Sequence, residues 1–139
     1  MIVFLDSSTI LAAGWSDAGL SHDLIDDARA TDWRLVTADY CLAEGERNLT
    51  KHASGAARWN DNIRTALEVV GSIYVLDRPI VFDAAKDRPV LLSAIGSGAE
   101  YRVTLDTPDF AHVLGASVSG VKIHTPKTFL LEMGMVERR

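Results

Sequence analysis

One cysteine, Cys41, stands alone among 139 residues, so the chain lacks the means to form an internal disulfide. That excludes a disulfide-stapled scaffold and suits a reducing cytoplasm. Cys41 falls in an apolar-periodic stretch and reads as a small buried hydrophobe rather than a reactive thiol. No apolar run approaches the roughly 20 residues of a membrane span, so no membrane association is expected. The opening residues MIVFLDSSTI carry no basic segment, and Asp6 interrupts their apolar run, so a secretory signal is not expected. Basic charge is not in excess: the formal net charge is −5. This excludes binding of nucleic acid through a broad basic surface. It does not exclude a chain whose acids bind cations, since two divalent ions would offset four of those charges and present positive charge to a phosphate. The four histidines, His22, His52, His112 and His124, show no metal-ligand spacing. No repeat or low-complexity linker divides the chain, so residues 1–139 read as one domain. A chain of this length buries roughly two-thirds of its unfolded surface and needs no staple.

What is present alternates. Residues 2–5 form a short, wholly apolar run, as expected of a strand buried on both faces. Residues 7–14 read as a short helix closed by a glycine. Residues 20–30 read as a helix with Leu24, Ile25 and Ala28 on one face and Asp23, Asp26 and Asp27 on the other. Residues 34–37 read as a strand, and Asp39 as the cap of a helix running to about Lys51. Residues 56–70 read as a helix carrying Ile63, Leu67 and Val70. Around Pro79 lie two β-like runs, 73–76 and 80–82. Residues 87–97 read as a helix with Pro89 in its first turn. Residues 101–105 and 121–124 read as strands, and Thr125-Pro126 opens a last helix through Met133. Strands alternating with helices predict an α/β fold with a central, mainly parallel sheet. In such sheets the site lies outside the carboxyl ends of the strands.

Acids fall at that edge. Asp6 follows the first strand directly, Asp106 follows the strand 101–105, and Asp109 lies three residues on, in TLDTPDF. Asp87 starts the helix before that strand, so its N-terminus returns to the same edge. Glu44 lies on the helix after the second strand, with Glu46 competing for the same role. Each has an ordinary alternative: Asp6 and Asp87 as helix caps, Glu44 as a solvated helix residue, Asp106 and Asp109 as turn formers. Together they describe one space in which several carboxylates repel one another unless a cation is present. Hard oxygen donors in that number suit Mg²⁺ or Mn²⁺. Two such ions about 4 Å apart can activate a water and stabilise the leaving oxygen of a phosphodiester.

At these residues the chain resembles the PIN-domain nucleases. IVFLDSSTILAA resembles the family's opening strand, aspartate and hydroxyl-bearing turn. KDRPVLLSAIGSGAEYRVTLDTPDF resembles its second signature of aspartate, apolar helix, small-residue turn, strand and Thr-x-Asp. IHTPKTFL resembles its closing strand and Thr-Pro helix. The resemblance implies a PIN-like three-layer α/β/α sandwich. It implies that Asp6, Glu44, Asp87 and Asp106 are the catalytic metal-site acids, with Asp109 as an additional metal ligand. It implies that the hydroxyls of Ser8 and Thr104 are aimed at the cluster. Many family members are toxins of toxin–antitoxin pairs, called VapC. By that likeness the chain is expected to cleave RNA in the cytoplasm, to form a homodimer and to be inhibited by an antitoxin. The family also includes RNA-processing nucleases without an antitoxin, and a non-catalytic PIN-like binding module is a further alternative. A phosphatase with a covalent aspartyl intermediate wants a second aspartate two residues after the first, where Ser8 stands.

Around the acids, Lys86, Arg88, Arg47 and Arg58 are candidate phosphate contacts. Trp15, Trp33 and Trp59 are candidate base-stacking residues, Trp15 being the best placed for an exposed rim. The nuclease reading predicts that Asp6→Asn or Asp87→Asn abolishes cleavage and leaves the fold intact.

Overall fold

The computed structural model describes residues 1–16, 18–70, 98–105, 117–118 and 120–135. Strand β1 (Ile2–Leu5) lies at the centre, and its Val3, Phe4 and Leu5 are fully buried. It pairs in parallel with β2 (Arg34–Ala38) on one side and with β4 (Tyr101–Val103) on the other. Beyond β2 lies β3 (Leu67–Val70), also parallel. Beyond β4 lies β6 (Val121–His124), again parallel, with the two-residue β5 (Ser117–Val118) antiparallel to it at the edge. The strand order is β3-β2-β1-β4-β6-β5. The sheet is therefore mainly parallel, as the alternating pattern predicts. The order of strands in the chain turns back between β1 and β4. Parallel sheets open a crevice at such a reversal, beyond the strands' carboxyl ends.

Five α-helices are described: α1 (Ser7–Trp15), α2 (Leu20–Arg29), α3 (Asp39–Leu49), α4 (Ala53–Arg58) and α5 (Pro126–Glu132). One sheet face, through Val3, Leu5, Leu35, Leu67 and Val103, packs into a core with Ile10, Leu24, Leu49, Trp59 and Phe129. Alternation along the strands sends Phe4, Val36, Arg102 and Ile123 to the other face, and all four are buried as well. A strand covered on both sides needs apolar residues at every position, which explains the unbroken IVFL run.

Three local expectations change. Gly14 does not close α1, which continues to Trp15. It lies inside the helix where an added Cβ would run into the Leu49 side chain, so its smallness lets α1 pack on α3. Asp39 is the first residue of α3 rather than its cap, and its Oδ1 accepts the Tyr40 N–H at 2.8 Å. The helix expected over 56–70 is several elements. After α4 the chain makes one π-helical turn (Trp59–Ile63) and one 3₁₀ turn (Arg64–Ala66), and then enters β3. The Ile63, Leu67 and Val70 spacing fits a helical face, but short apolar runs do not separate helix from strand. Four register pairs between β2 and β3 win over helical continuation there. The expected runs around Pro79 and the helix over 87–97 lie outside the described residues.

Candidate functional site at the strand reversal

Asp6 leaves the end of β1 and becomes the N-cap of α1. Its extended backbone turns the carboxylate over the first turn, where Oδ1 accepts the Thr9 N–H at 3.3 Å. The same oxygen accepts the Ser8 hydroxyl at 2.6 Å. The other oxygen, Oδ2, accepts the Arg102 guanidinium Nη2 at 3.2 Å. Asp6 is 5% exposed and Arg102 is 0% exposed. A carboxylate and a guanidinium have thus been taken out of water together, at the point where the strand order reverses. Asp6 caps a helix, as the simpler reading holds, but capping does not require a buried cation.

Ser8 ties the two central strands together. Its proton is committed to Asp6, and its oxygen accepts the Leu105 N–H at 2.9 Å. The Thr104 hydroxyl is 3.4 Å away. With the Ser8 proton engaged, Thr104 is the donor in that contact. The backbone N–H of Thr104 donates to the His124 carbonyl at 2.8 Å, holding the end of β4 against β6. Ser8 therefore reaches the Asp6 carboxylate directly, and Thr104 reaches Ser8.

The start of α3 closes the site from the β2 side. Cys41 is buried there. Its thiol is pushed up to about 11, first by burial and second by the Asp6 charge, against hydrogen bonds with Thr37 and the Ser7 backbone. It is a neutral, inert group at physiological pH. Residues three apart on a helix are neighbours, so Glu44 lies one turn beyond Cys41, and it is half-buried. Glu46 lies on the other side of the helix and is exposed. Gly45, a poor helix former, stands between them for a packing reason. A Cβ there would sit 2.8 Å from Ile10 and 3.2 Å from Trp59.

Asp87, Asp106 and Asp109 lie outside the described residues, as do Lys86 and Arg88. Among the described residues no three His, Cys, Asp or Glu side chains come close enough to hold a metal ion. The described donors do fit one in kind: a carboxylate, two hydroxyls and a half-buried glutamate are hard oxygen groups of the type Mg²⁺ and Mn²⁺ take. Arg102 escaped the reading of the sequence. Its signal was a cation in the middle of an otherwise apolar central strand. Arginine is almost never fully buried without a carboxylate or similar partner.

Of the other candidates, Trp59 is in the core and Trp33 stacks edge-on against Phe129 at 5.1 Å. Trp15 is 64% exposed. Arg58 donates to the Gly14 carbonyl at 2.9 Å and so ties α4 to the end of α1, while Arg47 is exposed. Beside the site is an apolar groove of about 470 Å³ lined by Ala12, Leu20, Leu105, Pro126 and Lys127 among others.

No protein-family model and no curated protein match this chain. Solved structures do. One is VapBC2 from Rickettsia felis bound to a DNA fragment from their promoter, with a TM-score of 0.62 at 13% identity, covering 90% of this chain and 98% of that one. Another is VapBC-1 from nontypeable Haemophilus influenzae, with a TM-score of 0.53 at 14% identity, covering 91% and 99%. The chain has a PIN-like α/β/α fold. Within that fold Asp6 holds the carboxyl end of the central strand, and no described helix is long and apolar enough to cross a membrane.

Proposed function

We propose that the chain is a divalent-metal-dependent endoribonuclease, the toxin of a toxin–antitoxin pair. The observation that carries this reading is the Asp6 carboxylate, sequestered with Ser8 and Thr104 at the strand reversal of a sheet shaped like those of the VapBC structures. In this reading Asp6, Glu44, Asp87 and Asp106 hold Mg²⁺ or Mn²⁺, with Asp109 as a further ligand. Glu44 is preferred to Glu46 because it is half-buried on the side of α3 that carries Cys41. When bound, such an ion supplies positive charge to the phosphodiester and acidifies an attacking water. The chain's own part is to hold the acids in place. Arg102 fixes Oδ2 of Asp6, the Thr9 N–H and the Ser8 hydroxyl fix Oδ1, and the Ser8 oxygen accepts the Leu105 N–H just past β4.

An antitoxin partner and a homodimer are part of the proposal. The apolar groove beside Leu105 and the exposed indole of Trp15 support a protein partner near the site. The buried Arg102 also favours a second reading, a non-catalytic PIN-like module, because it already supplies a cation to Asp6. An RNA-processing role without an antitoxin shares the chemistry of the first reading.

Incubation of the purified protein with total RNA, in Mn²⁺, in Mg²⁺ and in chelator, separates these readings. The nuclease predicts fragments with metal and none in chelator, lost in Asp87→Asn and Glu44→Gln. Full activity in chelator refutes it, and intact RNA under every condition favours the binding module. Co-expression with a short neighbouring open reading frame then distinguishes toxin from processing enzyme. Asp6→Asn is not the clean control the sequence alone promised, because it removes the carboxylate paired with the buried Arg102.

A further inference from the structure

We infer that Arg102 is a positioning residue that acts through Asp6 to set how strongly the site holds a divalent cation. This rests on the metal-dependent reading of the site. Arg102 lies in a central strand, paired with Phe4 on β1 and with Ile123 on β6, and is fully buried. It therefore has no route to a substrate phosphate, and phosphate binding does not account for it. Net stability does not account for the pair as a whole, since replacing both members of a buried ion pair by apolar residues is often neutral or stabilising. Among the described residues the guanidinium reaches Asp6 Oδ2, at 3.2 Å. A guanidinium keeps its proton at any physiological pH, so this charge is permanent.

The consequence follows from counting lone pairs. A carboxylate offers about four acceptor positions. Three donors occupy Asp6 among the described residues: Ser8 and Thr9 on Oδ1, and Arg102 on Oδ2. These donors leave about one acceptor position, on Oδ2, so Asp6 serves a cation through one oxygen rather than two. The fixed positive charge also competes with any ion placed against the same carboxylate, and burial limits its screening. Arg102 thus orients the ligand and keeps the ion exchangeable. It also keeps the site assembled when no ion is bound, by neutralising Asp6.

The test uses the full chain with Arg102→Met and Arg102→Lys, Mn²⁺ titration by calorimetry, and melting with and without Mn²⁺. The methionine variant is expected to melt below wild type in chelator and to recover most of that loss in Mn²⁺. Its Mn²⁺ affinity is expected to rise roughly tenfold or more, the scale on which one nearby charge shifts a carboxylate equilibrium. The lysine variant keeps the charge and is expected to stay near wild type. A folded methionine variant with unchanged or weaker Mn²⁺ binding overturns the inference. So does one that stays unfolded in excess Mn²⁺, or a lysine variant that binds as tightly as the methionine one. RNA cleavage by wild type is read on the same preparation. Its absence sinks the nuclease reading, whereas the titrations decide the role of Arg102.

Discussion

Asparagine at position 6 would remove the carboxylate with which the buried Arg102 guanidinium pairs. Removing one partner of such a pair costs about 3–5 kcal/mol. Asp6→Asn is therefore expected to lower the urea midpoint sharply in chelator, while Glu44→Gln, half-buried on α3, stays within about 0.5 kcal/mol of wild type. Equal stability of the two variants would contradict the pairing described for Asp6. Cys41 carries a second expectation at this scale. Its folded thiol titrates at about 11 against 9.0 in the unfolded chain. Between those values the unfolded chain has lost the proton and the folded one has kept it, so stability is full below about pH 9 and falls as pH rises towards 11. The loss approaches about 2–3 kcal/mol. Cys41→Ala should flatten this alkaline decline in a melting series. The inert thiol was legible from its apolar surroundings, and Asp6 was legible from its place after an apolar run. Arg102 was not, because an arginine in a strand reads as an edge or solvent residue until its neighbours are known.

Among the elements, close approach of helices explains what propensity could not. Gly45 weakens α3 as an isolated helix but lets it meet Ile10 and Trp59. Alanine there gains about 1 kcal/mol of helix propensity and overpacks a buried contact at a cost of about 1–3 kcal/mol. The expected balance is a small net destabilisation, seen as a lower melting temperature. A more stable Gly45→Ala would show that α3 and α1 are less tightly packed than described. At the other end of the chain, Thr125 caps α5 in a reciprocal box with Thr128, with Pro126 at the first helical position. Thr-Pro marked that start in the sequence, and β6 before it was also legible to the residue. Thr125→Ala should cost about 1 kcal/mol. The segment after α4 was misread because apolar spacing alone serves a helix or a strand, and only pairing with β2 decides it.

For the molecule as a whole, alternation of strands and helices foretold the parallel sheet, but not the order of its strands. That order brings the ends of β1 and β4, distant in the chain, side by side. It also brings the Thr104 hydroxyl to Ser8, which holds Asp6, and makes the strand reversal the natural seat of chemistry. The account stands on a divalent ion binding at that seat. Crystals soaked in Mn²⁺ and measured at an anomalous wavelength test this most directly. The account predicts a manganese peak about 2.1 Å from Asp6 Oδ2, with Arg102 still on that oxygen's other acceptor position. A map with no manganese at Asp6, from protein that binds Mn²⁺ elsewhere or not at all, would contradict it.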